Sequence, residues 1–195
     1  MLTRSHFITG GATALAAAAV VYTIKGRVDL GVINDAAAAV RDYIRPQGGA
    51  EIAAGVALYA LGLTLPDCDT KKSFIGRVIH IPVRHRTWTH TVWFAALWMA
   101  LAWWYRPLIW LGLGCLVHCY WDSLSVGGLC WFYPITRYVD RPDGKHFKRY
   151  HKGWYRTGQK SETRVVIATV TVSLLFSFGA LFFRLWEVGA LELPF

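Results

Sequence analysis

Charge is scarce in this chain. Only 17% of its 195 residues are Asp, Glu, Lys or Arg, while 54% are hydrophobic and the mean hydropathy is +0.32. That is high for a water-soluble protein, and it makes long apolar runs the organising feature. Acid is scarcer than base: 12 Asp and Glu stand against 21 Lys and Arg, a net charge of +9. A surplus of that size suits nucleic acid, an anionic lipid surface or a phosphate-bearing substrate, and composition alone does not separate the three. Cysteine is sparse as well. Cys68, Cys115, Cys119 and Cys130 form no C-x-x-C pair and three lie in or beside apolar runs, so buried free thiols are expected and a disulfide is not. No internal repeat is evident, and the length fits one domain over residues 1–195.

What the chain does have is five apolar segments, at residues 7–24, 50–65, 91–105, 108–124 and 165–186. A helix crossing the hydrocarbon core needs about 20 residues, in a range of roughly 17–25. The first, fourth and fifth segments reach that length; the second and third are short enough to be tilted, partly buried or interfacial. Ten Trp and nine Tyr fit anchoring at bilayer interfaces. The expected fold is therefore all-α: a polytopic membrane helical bundle of about five membrane-associated helices.

The basic residues give that bundle an orientation. The loop at 66–87 carries Lys71, Lys72, Arg77, Arg84 and Arg86 against Asp67 and Asp69. The stretch at 126–163 carries Arg137, Arg141, Lys145, Lys148, Arg149, Lys152, Arg156 and Lys160 against Asp140, Asp143 and Glu162. The loop at 25–49 is close to neutral and the tail after Arg184 adds Glu187 and Glu192. By the positive-inside rule the N-terminus and both basic loops face the cytoplasm, an arrangement that five crossings satisfy. The aromatic, basic residues 137–160 are expected on the membrane surface. A rival reading makes the first segment a cleaved leader with Arg4 as its basic start, which would remove His6; the basic loops argue against export.

Metal-competent side chains gather where these segments end on the cytoplasmic side. His6 opens the first and Asp67 and Asp69 close the second. His85 and His90 precede the third, His118 and Asp122 lie in the last turns of the fourth, and Glu162 precedes the fifth. Imidazole and carboxylate are the ligands preferred by zinc, manganese and iron. His118 and Asp122 are four apart, which stacks them on one helical face. Pro66 is expected to stop the second helix, leaving Asp67 and Asp69 in extended or turn geometry from which both could turn to one point. Two carboxylates that close repel unless a cation lies between them. His85 and His90 are too far apart for one strict helical face but can converge from a loop and a first turn. Arg86 between them suits an oxyanion, and Thr87 or Thr89 could cap the following helix. Taken singly, each has a plain alternative: a His–Asp hydrogen bond, a charged turn, a basic juxtamembrane turn, or a first-turn acid at Glu162. As a set of eight they exceed what one tetrahedral zinc needs. One ion with carboxylates orienting its histidines, or two ions with bridging carboxylates, would use them.

At these residues the chain resembles the LexA-regulated, membrane-bound metal-dependent hydrolase family. The resemblance runs from His6 through Leu-Pro-Asp-x-Asp and Lys-x-Ser-Phe-x-Gly (Lys71, Ser73, Phe74, Gly76) to His-Arg-x-x-Thr-His (His85 to His90), then His-x-x-x-Asp (His118, Asp122) and Gly-x-x-x-Glu (Gly158, Glu162). It departs at Thr91, where the family has Ser, and has Cys68 between the paired aspartates. The resemblance implies a helical membrane protein with metal-dependent hydrolase activity, and a more distant similarity to zinc-dependent phospholipase C is one of fold level only.

The combined expectation is an inner-membrane enzyme with one or two divalent ions, zinc first and manganese or iron as alternatives, at the cytoplasmic interface. Ligands would come from His6, Asp67, Asp69, His85, His90, His118, Asp122 and Glu162. Asp69 or Asp122 would take a proton, and Arg86 would steady a phosphoryl or carbonyl oxyanion of a lipid or other membrane-associated ester. Two rival classes remain: a protein that transports or senses metal or protons, and an assembly factor with a structural metal. A nucleic-acid partner is not expected, because the basic residues are tethered to apolar spans.

Overall fold

A computed structural model describes residues 2–24, 42–43, 47–135 and 153–187. Among these residues every regular element is helical: α1 (Thr3–Ile24), α2 (Gly49–Gly62), a first 3-10 turn (Leu65–Asp69), α3 (Phe74–Val78), a second 3-10 turn (Trp88–His90), α4 (Val92–Leu101), α5 (Leu108–Ser123) and α6 (Lys160–Glu187). Most of the neutral loop at 25–49 and most of the basic stretch at 137–160 lie outside the described residues.

Two helices start earlier than their apolar runs. α1 begins at Thr3 instead of residue 7, and α6 at Lys160 instead of 165. The first turn of a helix has free backbone N–H groups and favours polar and acidic side chains, so hydropathy misses it. His6 and Glu162 consequently sit inside helices. α2 ends at Gly62, before Pro66, and Pro66 is the second residue of the 3-10 turn instead of the stop of the helix. Thr91, and neither Thr87 nor Thr89, caps α4 by accepting from Phe94 N at 3.2 Å.

α1 packs along α6, while α2 and α4 both pack on α5. α2 and α5 meet backbone to backbone at Gly62 and Gly114, where a Cβ on Gly62 would lie 2.3 Å from Leu111 O. Small residues that let main chains touch are a hallmark of helix pairs in lipid. α1 is tied to α5 by Trp121 Nε1, which donates to Thr13 Oγ1 at 3.3 Å. Trp121, Leu124 and Tyr155 form a small buried cluster with Val117, Val165 and Val166 around it.

The distribution of polarity is inverted relative to a soluble protein. His6, His90, His118, Asp122 and Glu162 are buried, whereas Ile167, Leu175, Phe178 and Trp186 of α6 are exposed. Apolar surface outside and paired polar groups inside is what a hydrocarbon solvent selects. Among the described residues one helix, α6 at 28 residues, is clearly long and apolar enough to cross a membrane. α5 has 16 residues, α2 has 14 and α4 has 10, all below the roughly 20 needed for a perpendicular crossing.

Candidate metal centre

The centre is assembled where α1, α5 and the two 3-10 turns meet. The Gly62–Gly114 contact brings the end of α2 against α5, and His118 lies one turn beyond Gly114. Its Nδ1 faces the carbonyl of Leu63 at 2.9 Å. A carbonyl only accepts, so Nδ1 carries the proton and Nε2 presents a lone pair. His90 is fixed in the same sense. Its Nδ1 lies 3.3 Å from Asp69 Oδ2 and 3.0 Å from Thr89 Oγ1, while the Thr89 hydroxyl donates to Asp69 Oδ2 at 2.8 Å. The proton of the neutral ring therefore belongs on Nδ1, and His90 Nε2 is the second lone pair.

These two nitrogens point at each other, 3.3 Å apart, with carboxylate oxygens on both flanks. Asp67 Oδ1 is 3.4 Å from His90 Nε2 and 3.7 Å from His118 Nε2. Asp122 Oδ2 is 3.8 Å from His90 Nε2 and 3.9 Å from His118 Nε2. A tetrahedral zinc with ligands at roughly 2.0–2.1 Å sets its ligand atoms about 3.3–3.4 Å apart. Five of the six separations within this set of four atoms are thus 3.3–3.9 Å, near that spacing. Four electron-rich atoms converging in a buried space need a proton or a cation between them, since desolvated like charges repel strongly.

A second triad adjoins it, formed by His6, His118 and Asp122. The ring of His6 stacks on that of His118, with centroids 3.8 Å apart and planes 14° from parallel. His6 Nε2 is 3.5 Å from Asp122 Oδ1, yet neither His6 ring nitrogen makes a hydrogen bond among the described residues. A buried polar ring without partners is costly, and a ligated ion would supply one. Asp67, His85 and His90 form the other group of donors close enough to share an ion.

Asp69 plays a different part. The 3-10 geometry turns it away from Asp67, toward His85 Nδ1 at 2.7 Å, Arg86 N at 3.0 Å and Thr89 Oγ1. The two aspartates do not aim at one point; Asp69 orients the histidines that flank it. Burial pushes both carboxyls up, but nearby His118 and His90 outweigh this at Asp67, as do His85 and His90 at Asp69, and both end below the usual range. For His90, burial pulls the ring down and Asp67 and Asp69 more than reverse it, raising it to about 9. Asp69→Asn should leave the fold intact and weaken metal binding roughly 10- to 100-fold, the usual cost of losing a group that orients a ligand. Competition with a chelator of known affinity measures it, and unchanged affinity would assign Asp69 no part in the centre.

Arg86 has positive φ, at 63°, a conformation uncommon for residues with a Cβ. Its backbone is held by Asp69, and its guanidinium donates to Ser125 Oγ at 3.1 Å and Gly128 O at 3.2 Å and pairs with Asp122 Oδ2 at 3.0 Å. Much of its donor capacity thus fixes Asp122. Glu162 stands apart from both triads. It accepts from Leu2 N at 2.7 Å and Gly158 N at 2.6 Å, joining the start of α1 to the start of α6. The centre opens into a cleft of about 530 Å³ lined by Asp67, Lys72, His85, Arg86, Asp122 and Thr157 among others. Sequence reasoning missed the Leu63 carbonyl and Ser125, which no motif marks. It noted Thr89 as a cap and not as the link between Asp69 and His90, although its place inside His-Arg-x-x-Thr-His was the available signal.

Comparison with known proteins adds one family. No curated protein and no solved structure matches the chain. The family model of the YdjM inner membrane proteins matches residues 1–187, and the chain belongs to that family.

Proposed function

We propose that this YdjM-family membrane protein is a metal-dependent hydrolase acting on an ester or phosphoester of a lipid or membrane-associated substrate. The reading rests above all on the five distances of 3.3–3.9 Å among His90 Nε2, His118 Nε2, Asp67 Oδ1 and Asp122 Oδ2. Nitrogen and oxygen donors at that spacing favour zinc, with manganese or iron as alternatives. His6 with Asp122 Oδ1 offers places for a second ion.

The chemistry that a divalent ion held by these residues would supply is a coordinated water with its pKa lowered toward about 7 and a polarised ester oxygen. The chain's own residues do the rest. With a single ion held, His6 Nε2 and Asp122 Oδ1, 3.5 Å apart, form the pair left to take a proton. Asp69 is less suited, since its oxygens already serve His85, Arg86 and Thr89. Arg86 fixes Asp122 and presents its positive charge at the cleft, where Lys72 adds a second cation for an anionic substrate. The basic loops favour a multi-pass chain with the centre on the cytoplasmic side.

The test is purified protein in lipid nanodiscs, assayed for metal content and for hydrolysis of p-nitrophenyl carboxylic esters, bis-p-nitrophenyl phosphate and glycerophospholipids. Stoichiometric metal and chelator-sensitive turnover that His118→Ala removes are expected. Bound metal with no turnover on any substrate, together with His118-dependent ion flux in liposomes, would replace the hydrolase reading by transport.

A further inference from the structure

The segment that carries the paired aspartates continues into an apolar ridge that no described residue covers. α3 has two faces. Ile75 and Gly76 are buried, and a Cβ on Gly76 would lie 2.1 Å from Thr70 O, so the short helix is pressed against the first 3-10 turn. Ser73 locks the junction, donating to Asp67 O at 2.7 Å and accepting from Gly76 N at 2.9 Å. On the other face Phe74 and Val78 are 70% and 71% exposed, and Ile79 follows at 53%. Ile81, whose backbone N donates to Cys68 O at 3.0 Å, and Trp88, whose ring meets that of Tyr133 edge-on at 5.2 Å, are exposed as well. A soluble monomer rarely leaves so many large side chains together in water.

The surroundings of the ridge are basic. Lys71, Lys72, Arg77 and Arg84 lie in the same stretch of chain, and between Thr70 and Thr87 no acidic residue interrupts it. Apolar side chains interleaved with Lys and Arg on a short amphipathic element are the composition of a segment lying in the headgroup layer of an anionic leaflet. Membership of an inner-membrane family places a bilayer within reach.

We propose that residues 74–88 are a monotopic wedge whose occupant is the anionic phospholipid leaflet: Phe74, Val78, Ile79 and Trp88 enter the headgroup–acyl boundary, and Lys71, Arg77 and Arg84 contact lipid phosphates. Because Lys72 and Ser73 line the cleft while Phe74 begins the ridge, the wedge holds the cleft mouth at headgroup depth. The proposal does not depend on whether the centre hydrolyses anything.

The experiment places a nitroxide on Val78→Cys in the full-length protein in nanodiscs containing phosphatidylglycerol. The four native cysteines are buried, and unsubstituted protein controls for their labelling. Collisions with oxygen several-fold more frequent than with a water-soluble nickel chelate are the expected result. A label that meets nickel as freely as a nitroxide in buffer overturns the proposal, and one shielded from both reagents overturns it in favour of a protein partner. Charge reversal at Lys71, Arg77 and Arg84 to Glu should raise nickel access several-fold in phosphatidylglycerol. If reversal leaves access unchanged, or phosphatidylcholine alone protects equally, the anionic lipid is not the occupant. Should Val78→Cys fold poorly, a label at Ile79→Cys decides the same question: Phe74→Asp with Val78→Asp should abolish its protection from nickel, and protection that survives overturns the wedge.

Discussion

Replacing His118 by Ala should strip the protein of its metal, lowering affinity by more than the roughly 100-fold that marks loss of an orienting neighbour. His118 belongs to both routes by which an ion can be held: its Nε2 is one of four neighbouring donor atoms with those of His90, Asp67 and Asp122, and it joins His6 and Asp122 in the adjoining triad. The substitution also leaves the Leu63 carbonyl without its donor, at a cost of about 1–3 kcal/mol. Asp67→Asn therefore serves as the companion variant, since it keeps shape and removes only the charge at another of the four donors. Both should elute as folded protein with native helicity and without metal by elemental analysis. Full occupancy in either would refute the proposed centre.

Affinity should also depend on pH with a definite sign. Metal-free His90 is raised to about 9 by Asp67 and Asp69, so near neutrality the ring holds a proton that an incoming ion must expel. Apparent affinity should therefore climb roughly tenfold per pH unit up to about 9 and level off above it, with proton release on binding. Metal titrations at several pH values measure this, and a flat profile would mean that His90 is not a ligand.

The helical class and the gathering of His and Asp were legible because they rest on hydropathy and residue type, which the sequence displays directly. His118 and Asp122 were legible as a pair because helical periodicity fixes their common face. Division of labour between the aspartates was not legible. Asp67 and Asp69 differ only by their place on a 3-10 turn that forms where Pro66 follows a glycine-terminated helix, and rotation on that turn is a tertiary matter. Nor could charge reveal that Glu162 accepts from two backbone amides, a fixed role set by where the α1 and α6 termini meet. Helix length was only roughly legible for a related reason. Apolar length in sequence counts turn residues such as Trp103, Trp104 and Tyr105 along with helix, so the run at 91–105 yielded a 10-residue α4.

The second large effect is expected at a residue that is not itself a ligand, Gly114, one turn before His118. A Cβ there would lie 2.4 Å from Tyr59 O and 2.9 Å from Gly62 Cα, both main-chain atoms of α2. No rotamer change relieves contact with a backbone, so α2 and α5 must move apart. Overpacking of this kind costs about 1–3 kcal/mol and more when the neighbour cannot yield. The damage propagates to the centre by a short path, because Leu63 follows Gly62 and holds His118 through a single 2.9 Å hydrogen bond. Gly114→Leu should thus lower thermal stability and also weaken metal binding at least as much as Asp69→Asn does. Gly179 in α6 is the control: nothing lies within 4 Å of its would-be Cβ, and Gly→Ala in a helix interior stabilises by up to about 1 kcal/mol. Gly114→Ala and Gly179→Ala with equal melting temperatures would show that the main-chain contact does not hold the two helices in register.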